Sequence, residues 1–207
     1  MIYSSYNFLN VKLNFNEKVN GPYLLPELEL LIFTRYLASG SFMHVAGDLC
    51  GIGLTSSFRA IHRMINHFAK NRRRFIRFPS THELERISLK FREKKGFPKV
   101  IGCVDGTHIE VKVPKNDVSE TFRNRKGRMT LNVQMVCGPN ELIYDIVASW
   151  PGSAHDSAIW TSCLLRSQFE SGIFPNEYHL LGDSAYPLTE YMMTPIRNAT
   201  LPRESIF

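Results

Sequence analysis

The sequence contains no long hydrophobic run and no leader-like amino terminus. No apolar stretch approaches the roughly 20 residues that a membrane-spanning helix requires. Residues 1–8, MIYSSYNF, lack the basic-then-apolar order of a signal peptide. From the sequence alone, these absences argue against a membrane or secreted protein and predict an intracellular one.

Cysteine is scarce and is not arranged for metal binding. The 4 cysteines are far apart and show neither a Cys-x-x-Cys pair nor the Cys/His spacing of a zinc site. Such isolated cysteines are typical of small buried side chains in a reducing compartment. The sequence therefore argues against structural zinc at Cys50, Cys103, Cys137 and Cys163.

The composition is that of a soluble globular protein with an excess of basic residues. Hydrophobic residues make up 43% and charged residues 21% of the 207 positions, as is normal for a folded domain. This length suits one domain with a sizeable core, or a small domain in front of a larger one. The formal net charge of +6 favours a polyanionic partner.

Residues 26–70 have the pattern of a helical region. A short helix over 41–49, closed by a Gly-Ile-Gly turn, precedes a longer helix that begins at 55–57 and continues to Lys70. This order of a short helix, a glycine turn and a longer basic helix resembles a helix-turn-helix over about residues 41–70. The face of the longer helix that is predicted to pack consists of Phe58, Ile61, Met64, Ile65 and Phe68.

One stretch of the chain has no acidic residue. Between Leu49 and His82 there is no Asp or Glu, whereas an ordinary solvated helix mixes both signs because like charges repel. The asymmetry favours contact with nucleic-acid phosphates over the alternative of a solvated bundle face. Arg72-Arg-Arg also suits a nuclear import signal, which predicts a nuclear location besides the cytoplasm. The candidate phosphate-binding residues here are Arg59, Arg63, Lys70, Arg72, Arg73 and Arg74.

The pattern changes from helical to extended at Gly96-Phe97-Pro98. The sequence therefore predicts a helical region over 1–96 and an α/β domain over 97–207. Within the second region, alternating apolar residues and a Gly-Pro-Asn turn predict an antiparallel meander of three strands. The predicted elements, in order, are a helix over 81–95, strands over 100–113, 129–137 and 142–149, a capped helix over 153–170, a strand over 178–182 and a short helix over 188–193.

Two aspartates lie at positions where an apolar strand sequence is followed by small and polar residues. Asp105 interrupts the apolar odd-numbered face of the first strand, and Asp183 follows the fourth strand in a Gly-Asp-Ser sequence. An ionised carboxylate on a buried face needs a cation, a bound metal or a shifted pKa. Taken alone, either Asp-Gly or Gly-Asp pair is also ordinary turn chemistry.

Four segments in order give this region a specific resemblance. From about Phe97 to Phe207, and less sharply before it, the chain resembles the PIF/Harbinger transposases, including the Harbinger transposase-derived nucleases. The segments that carry the resemblance are Val100-Ile-Gly-Cys-Val-Asp-Gly-Thr-His-Ile, Asn124-Arg-Lys-Gly, Trp150-Pro-Gly-Ser-Ala-His-Asp and Leu181-Gly-Asp-Ser-Ala-Tyr-Pro-Leu, followed by Met193-Thr-Pro.

The resemblance implies a fold, a chemistry and partners. It implies an RNase H-like α/β domain in which the first and fourth strands are neighbours, so that Asp105 and Asp183 meet as catalytic metal ligands. With a glutamate from a later helix, such acids hold two Mg²⁺ or Mn²⁺ ions for phosphodiester hydrolysis or strand transfer on DNA. The resemblance also implies a separate Myb-like DNA-binding partner protein.

The sequence departs from the family at its carboxyl end. It stops at Phe207, before the stretch that supplies the third glutamate, and Glu190 and Glu204 are poorly placed to replace it. Asp156 is a candidate third metal ligand, and equally a cap of its helix. The chain is therefore predicted to be a fragment, the product of a truncated gene model, or a protein without catalysis. The alternative function is that of a non-catalytic DNA-binding or interaction protein.

A second basic cluster lies between the first two strands. Basic residues at the tip of a hairpin are often merely solubilising. Beside a predicted nuclease site, however, they suit the positioning of phosphates. The candidate residues are Arg123, Arg125, Lys126 and Arg128, accompanied by Lys112 and Lys115.

Overall fold

The computed structural model describes residues 24–112 and 119–196. By their internal contacts the residues fall into two compact units, one ending at Arg72 and the other beginning at Arg73. No helix among the described residues is long and apolar enough to cross a membrane.

The first unit contains three helices: α1 (Pro26–Ser39), α2 (Met43–Asp48) and α3 (Leu54–Lys70). Gly40 and Gly51 take the left-handed conformation that favours glycine, with φ of 60° and 65°, and so end α1 and turn the chain after α2. The helices share a core of buried side chains: Ile32, Phe33, Ala46, Ile61 and Met64. The helices predicted over 26–70 are therefore present. A DNA-binding role for the segment over 41–70 stays a prediction.

The packing face of α3 differs from the predicted one. Phe58 and Ile65 are 49% and 39% exposed, whereas Ser57, Ala60, Ile61 and Met64 are buried. The reason is the close approach of α2, because a Cβ atom at Gly47 would lie 1.9 Å from Ser57 Oγ. The small residues of α3 face inward, and two of its large apolar residues are left at the surface.

The second unit begins with α4 (Thr81–Lys95), which follows a 3₁₀ turn over Arg72–Arg74. A capping box between Ser80 and Glu83 starts this helix. Its apolar residues Leu84, Ile87 and Phe91 join the core against the sheet. The division between units therefore differs from the boundary predicted after residue 96, because α4 buries its apolar face on the α/β part of the chain.

The remaining elements build a mixed sheet with helices. The strands are β1 (Val100–Glu110), β2 (Thr130–Cys137), β3 (Ile143–Pro151), β4 (His179–Leu181) and β5 (Met192–Met193), and the helices are α5 (Asp156–Ser162) and α6 (Leu164–Glu170), with a 3₁₀ turn over Ser119–Phe122. The strand order is β3-β2-β1-β4-β5. β1, β2 and β3 form the predicted antiparallel meander. β4 lies beside β1 as predicted, and the two strands are parallel.

Three predicted elements need correction. The first strand ends at Glu110, and the helix over 153–170 is two helices because Cys163 has extended backbone and caps the second of them. The helix over 188–193 is absent. Its place is taken by β5, since the N–H groups of Leu180 and Gly182 donate to the carbonyls of Tyr191 and Met193 at 2.9 and 3.0 Å. Sheet pairing here outweighs the helical pattern.

The cysteines are less buried than predicted. All 4 are free, and only Cys163 is buried. Cys103 and Cys137 are directly opposed across β1 and β2, on a sheet face that is partly open to solvent. They serve as half-buried sheet residues.

Candidate carboxylate site and basic cleft

The sheet register places Asp105 and Asp183 side by side. Cys103 is the partner of Leu181 in the parallel β1–β4 pairing, and each aspartate lies two residues beyond its strand's partner residue. By this register the two aspartates stand at the same level, with Asp105 within β1 and Asp183 just beyond the carboxyl end of β4. Neighbouring strands are roughly 4.8 Å apart, so both side chains can contact one small cation.

Both aspartates are exposed, which corrects the reason given for them from the sequence. The odd-numbered face of β1 beyond Cys103 is open, and Ile109 on it is 50% exposed. Burial therefore does not force a cation onto Asp105. Asp105 Oδ1 accepts a hydrogen bond from the Gly106 N–H at 2.8 Å, and Asp183 Oδ1 accepts one from the Ala185 N–H at 2.9 Å. These bonds orient each carboxylate and leave its second oxygen available.

Asp156 lies close to this pair. It is the first residue of α5, while His155 is the N-cap and makes no side-chain cap bond. The cap interpretation of Asp156 is therefore wrong. Its Oδ1 instead accepts a hydrogen bond from Asn132 Nδ2 at 2.8 Å, and a Cβ atom at Gly106 would lie 2.3 Å from that same Oδ1. A larger residue at position 106 would therefore have to displace this carboxylate from its place beside Asn132.

The charges of all three carboxylates affect the pKa of one buried tyrosine, Tyr186. Tyr186 is 4% exposed, and within the described part of the chain its hydroxyl has no hydrogen-bond partner. Burial raises the pKa of Tyr186, and the charges of Asp156, Asp105 and Asp183 raise it further. Tyr186 is not among the site residues predicted from the sequence, although its position three residues after Asp183 is a usable signal. The three acids do not form a preassembled site, because the described residues contain no group of three side chains placed to hold one metal ion.

A cleft of about 720 Å³ opens beside Asp156 and Asp183. The predicted basic cluster forms part of its wall, through Arg125, Lys126 and Arg128. Arg125 lies 2.9 Å from His155 Nδ1, and Arg128 pairs with Glu110. The sequence analysis left His108, Glu110 and His155 without a role, yet they also line the cleft.

The other members of that cluster stand apart from the cleft lining. Arg123 is not among the lining residues and pairs with Glu120, with 2.7 Å between Nε and Oε2. Lys112 is exposed at the end of the described segment, and Lys115 lies outside the described residues. The structure thus brings part of the predicted cluster to the cleft: Arg125, Lys126 and Arg128.

The candidate phosphate-binding residues between Leu49 and His82 divide into exposed and structural ones. Arg59, Lys70, Arg72, Arg73 and Arg74 are exposed. Arg63 is not available for phosphate contact in the same way. It forms an ion pair with Glu29, a carboxylate that is only 2% exposed. Burial raises the pKa of Glu29, and the Arg63 charge opposes that rise. Arg63 therefore stabilises the helical unit.

We expect Arg63→Ala to lower the free energy of unfolding by about 3–5 kcal/mol near pH 7, because it leaves the Glu29 charge buried and unpaired. Loss of the arginine raises the Glu29 pKa further above its unfolded value. Protonation at lower pH then removes the buried charge, so the deficit should shrink as the pH falls through that raised pKa. Urea unfolding at several pH values measures both effects.

Arg59→Ala is the matched control, since it removes an exposed arginine from the same helix. It should change stability by no more than about 0.5 kcal/mol at any of these pH values. An Arg63→Ala deficit that is equally large at acid pH would contradict the assigned role of Glu29.

The DDE superfamily endonuclease family matches residues 104–206. The chain is 34% identical over 180 residues to a Homo sapiens protein named "Putative nuclease HARBI1", an alignment that covers 86% of this chain and 51% of the human protein. It is 28% identical over 184 residues to the Xenopus laevis protein of the same name, with 86% and 51% covered. Identity to the Arabidopsis thaliana "Protein ALP1-like" is 24% over 195 residues, with 88% and 47% covered.

The chain spans about half the length of these curated relatives. No solved structure matches it significantly. The sheet of five strands in mixed directions is consistent with a DDE nuclease fold. The family match falls on the region that carries Asp105, Asp156 and Asp183, and the Harbinger-type resemblance predicted from the motifs is confirmed: the chain belongs to the DDE superfamily of endonucleases.

Proposed function

We propose that this chain carries part of a divalent-metal-dependent DNA nuclease or transposase, acting by phosphodiester hydrolysis or strand transfer. The observation that supports it best is the register of β1 and β4, by which Asp105 and Asp183 lie side by side on adjacent strands. Both carboxylates are exposed and oriented by backbone N–H groups. Solvent-facing acids held in this way are suited to bind a cation and a substrate together.

The donors present fit Mg²⁺ or Mn²⁺. Hard divalent cations prefer carboxylate oxygens, and Mg²⁺ commonly uses one or two carboxylates together with water and substrate phosphates. Asp105 and Asp183 would supply those carboxylates, and Asp156 is a third candidate. When bound, the ion would neutralise phosphate charge and make bound water more acidic. The protein's own part is to hold the carboxylates in place and to line the adjacent cleft with Arg125 and Lys126.

DNA is the proposed substrate because basic side chains are exposed in both units. Arg59 lies on α3 of the first unit, and Arg73 and Arg74 lie at the start of the second unit, which also contains the cleft wall with Arg125 and Lys126. Such side chains contact phosphates and give affinity that does not depend on base sequence. Action in the nucleus, predicted from Arg72-Arg-Arg, and action with a Myb-like partner, implied by the family resemblance, both stay predictions.

We expect the triple variant Arg59→Ala, Arg73→Ala, Arg74→Ala, and separately the double variant Arg125→Ala, Lys126→Ala, to weaken binding to unrelated DNA duplexes. The slope of log K against log[salt] should become shallower by about 0.9 for each phosphate contact that is lost. Fluorescence anisotropy between low and physiological salt measures the slope.

The double variant Arg86→Ala, Lys90→Ala is the control. It removes two exposed basic residues of α4 that belong to neither of the two substituted sets. It should change the slope little. A slope that is unchanged in the triple and double variants would show that these residues are solvated surface and would remove the support for a DNA substrate.

The second candidate function is a non-catalytic DNA-binding or interaction protein. It is favoured by one observation, the lack of a preassembled group of three metal-binding side chains among the described residues. In that case the basic surfaces would keep their effect on DNA affinity, and the carboxylates would have none.

A further inference from the structure

We propose that the Tyr186 hydroxyl is a positioning group that donates a hydrogen bond to one of the site carboxylates and so orients it toward a divalent cation held by Asp105 and Asp183. This inference rests on the proposed metal-dependent function. It assigns a role to a side chain that neither the motifs nor the comparisons assign.

The Tyr186 hydroxyl is buried and has no hydrogen-bond partner among the described residues. Tyr186 is 4% exposed, and no described residue accepts a hydrogen bond from its Oη. Buried tyrosine hydroxyls normally have a partner, because an unpaired buried polar group destabilises the fold. The ring alone could be supplied by Phe. A polar atom in such a place points to a hydrogen bond that forms only when the site is filled and its carboxylates are reoriented.

The charged groups that act on the Tyr186 hydroxyl are mainly carboxylates. The charges that act on it come mainly from Asp156, Asp105 and Asp183, in that order. Each of these carboxylates accepts its assigned hydrogen bond through Oδ1: from Asn132 for Asp156, and from backbone N–H groups for the other two. The second oxygen of each carboxylate takes part in none of these bonds and is therefore available as an acceptor for the phenol.

The Tyr186 ring is held in place by packing. A Cβ atom at Gly182 would lie 3.1 Å from Tyr186 Cδ2, and the Trp160 and Tyr186 rings meet edge to face with centroids 6.3 Å apart. The Tyr186 N–H also donates to the Asp183 carbonyl at 3.2 Å. Packing therefore fixes the hydroxyl relative to Asp183. A donor held in this way can orient a metal ligand without touching the metal.

Tyr186→Phe tests the proposal, with Mn²⁺ affinity measured by calorimetric titration and the melting temperature measured with and without Mn²⁺. Loss of a group that orients a ligand should weaken Mn²⁺ binding roughly 10–100-fold. Without metal, the melting temperature should stay the same or rise slightly, because the hydroxyl that is removed has no partner.

Tyr178→Phe is the matched control. Tyr178 is also a buried tyrosine, 5% exposed, but its hydroxyl donates to Glu85 at 2.8 Å. This variant should melt at a lower temperature without metal and should bind Mn²⁺ as tightly as the parent chain. The two substitutions remove the same atom, but Tyr186→Phe is expected to change Mn²⁺ affinity without lowering stability, and Tyr178→Phe to lower stability without changing Mn²⁺ affinity.

Two results would overturn the positioning role while leaving the proposed function intact. One is parental Mn²⁺ affinity in Tyr186→Phe together with lost affinity in Asp105→Asn and Asp183→Asn. The other is a large drop in the metal-free melting temperature of Tyr186→Phe, which would show a structural partner for the hydroxyl. Absence of Mn²⁺ binding by the parent chain would contradict both the positioning role and the metal site.

Discussion

Substitution of Asp105 or Asp183 by Asn is expected to abolish the rise in melting temperature that Mn²⁺ or Mg²⁺ gives to the parent chain. A ligand that binds only the folded state, at about 100 times its dissociation constant, stabilises it by about 2.7 kcal/mol. For a chain of this size such a gain corresponds to roughly 5–10 °C. Both variants should lose this gain, because each removes one of the two charged donors that the β1–β4 register brings together.

The substitutions are chosen to leave the local structure intact. An Asn side-chain oxygen can still accept the hydrogen bonds that Asp105 and Asp183 receive from Gly106 and Ala185. The metal-free melting temperatures should therefore change little. Asp48→Asn, at an exposed acid in the helical unit, is the control and should keep the full metal response. A response that persists in the Asp105→Asn, Asp183→Asn double variant would place the metal site elsewhere.

The part of the site that the sequence predicts is the part that depends on strand pattern. Alternating apolar residues mark β2 and the start of β1, and the motif order implies that β4 lies beside β1. Those two facts suffice to bring Asp105 and Asp183 close together. The argument from burial for a cation at Asp105 is wrong, however, since Asp105 lies on an open face and is not a buried charge.

The rest of the site depends on contacts between residues that are distant in the sequence. Asn132 holds Asp156 from 24 positions away, and Glu29 takes Arg63 out of the exposed basic surface from 34 positions away. No local pattern marks either pair. The strand at Met192–Met193 replaces a predicted helix for a related reason, because its hydrogen-bond partners lie on β4. Tertiary pairing decides these features, and single-residue propensity does not reveal it.

The 207-residue chain is expected to cleave supercoiled plasmid no faster than background in the presence of Mn²⁺. Two-metal phosphodiester chemistry requires several carboxylates that clamp both ions in line with the phosphate. The described residues offer Asp105, Asp183 and Asp156, without a preassembled group of three ligands for one ion. Misplacement of a reacting group by about 1 Å can reduce a rate by roughly 10²-fold, so an incomplete clamp should leave no measurable nicking.

If the gene encodes a helix beyond residue 207 with a suitable glutamate, a longer chain that includes it should gain Mn²⁺-dependent nicking. Substitution of that glutamate by Gln should abolish the gain, and Asp105→Asn should do the same, because both acids would then belong to one clamp. The contrary result is efficient metal-dependent cleavage by the 207-residue chain that is lost in Asp156→Asn, or in Glu204→Gln outside the described residues. That result would show that an internal acid completes the site, and it would make Asn132, which orients Asp156, the next residue to substitute.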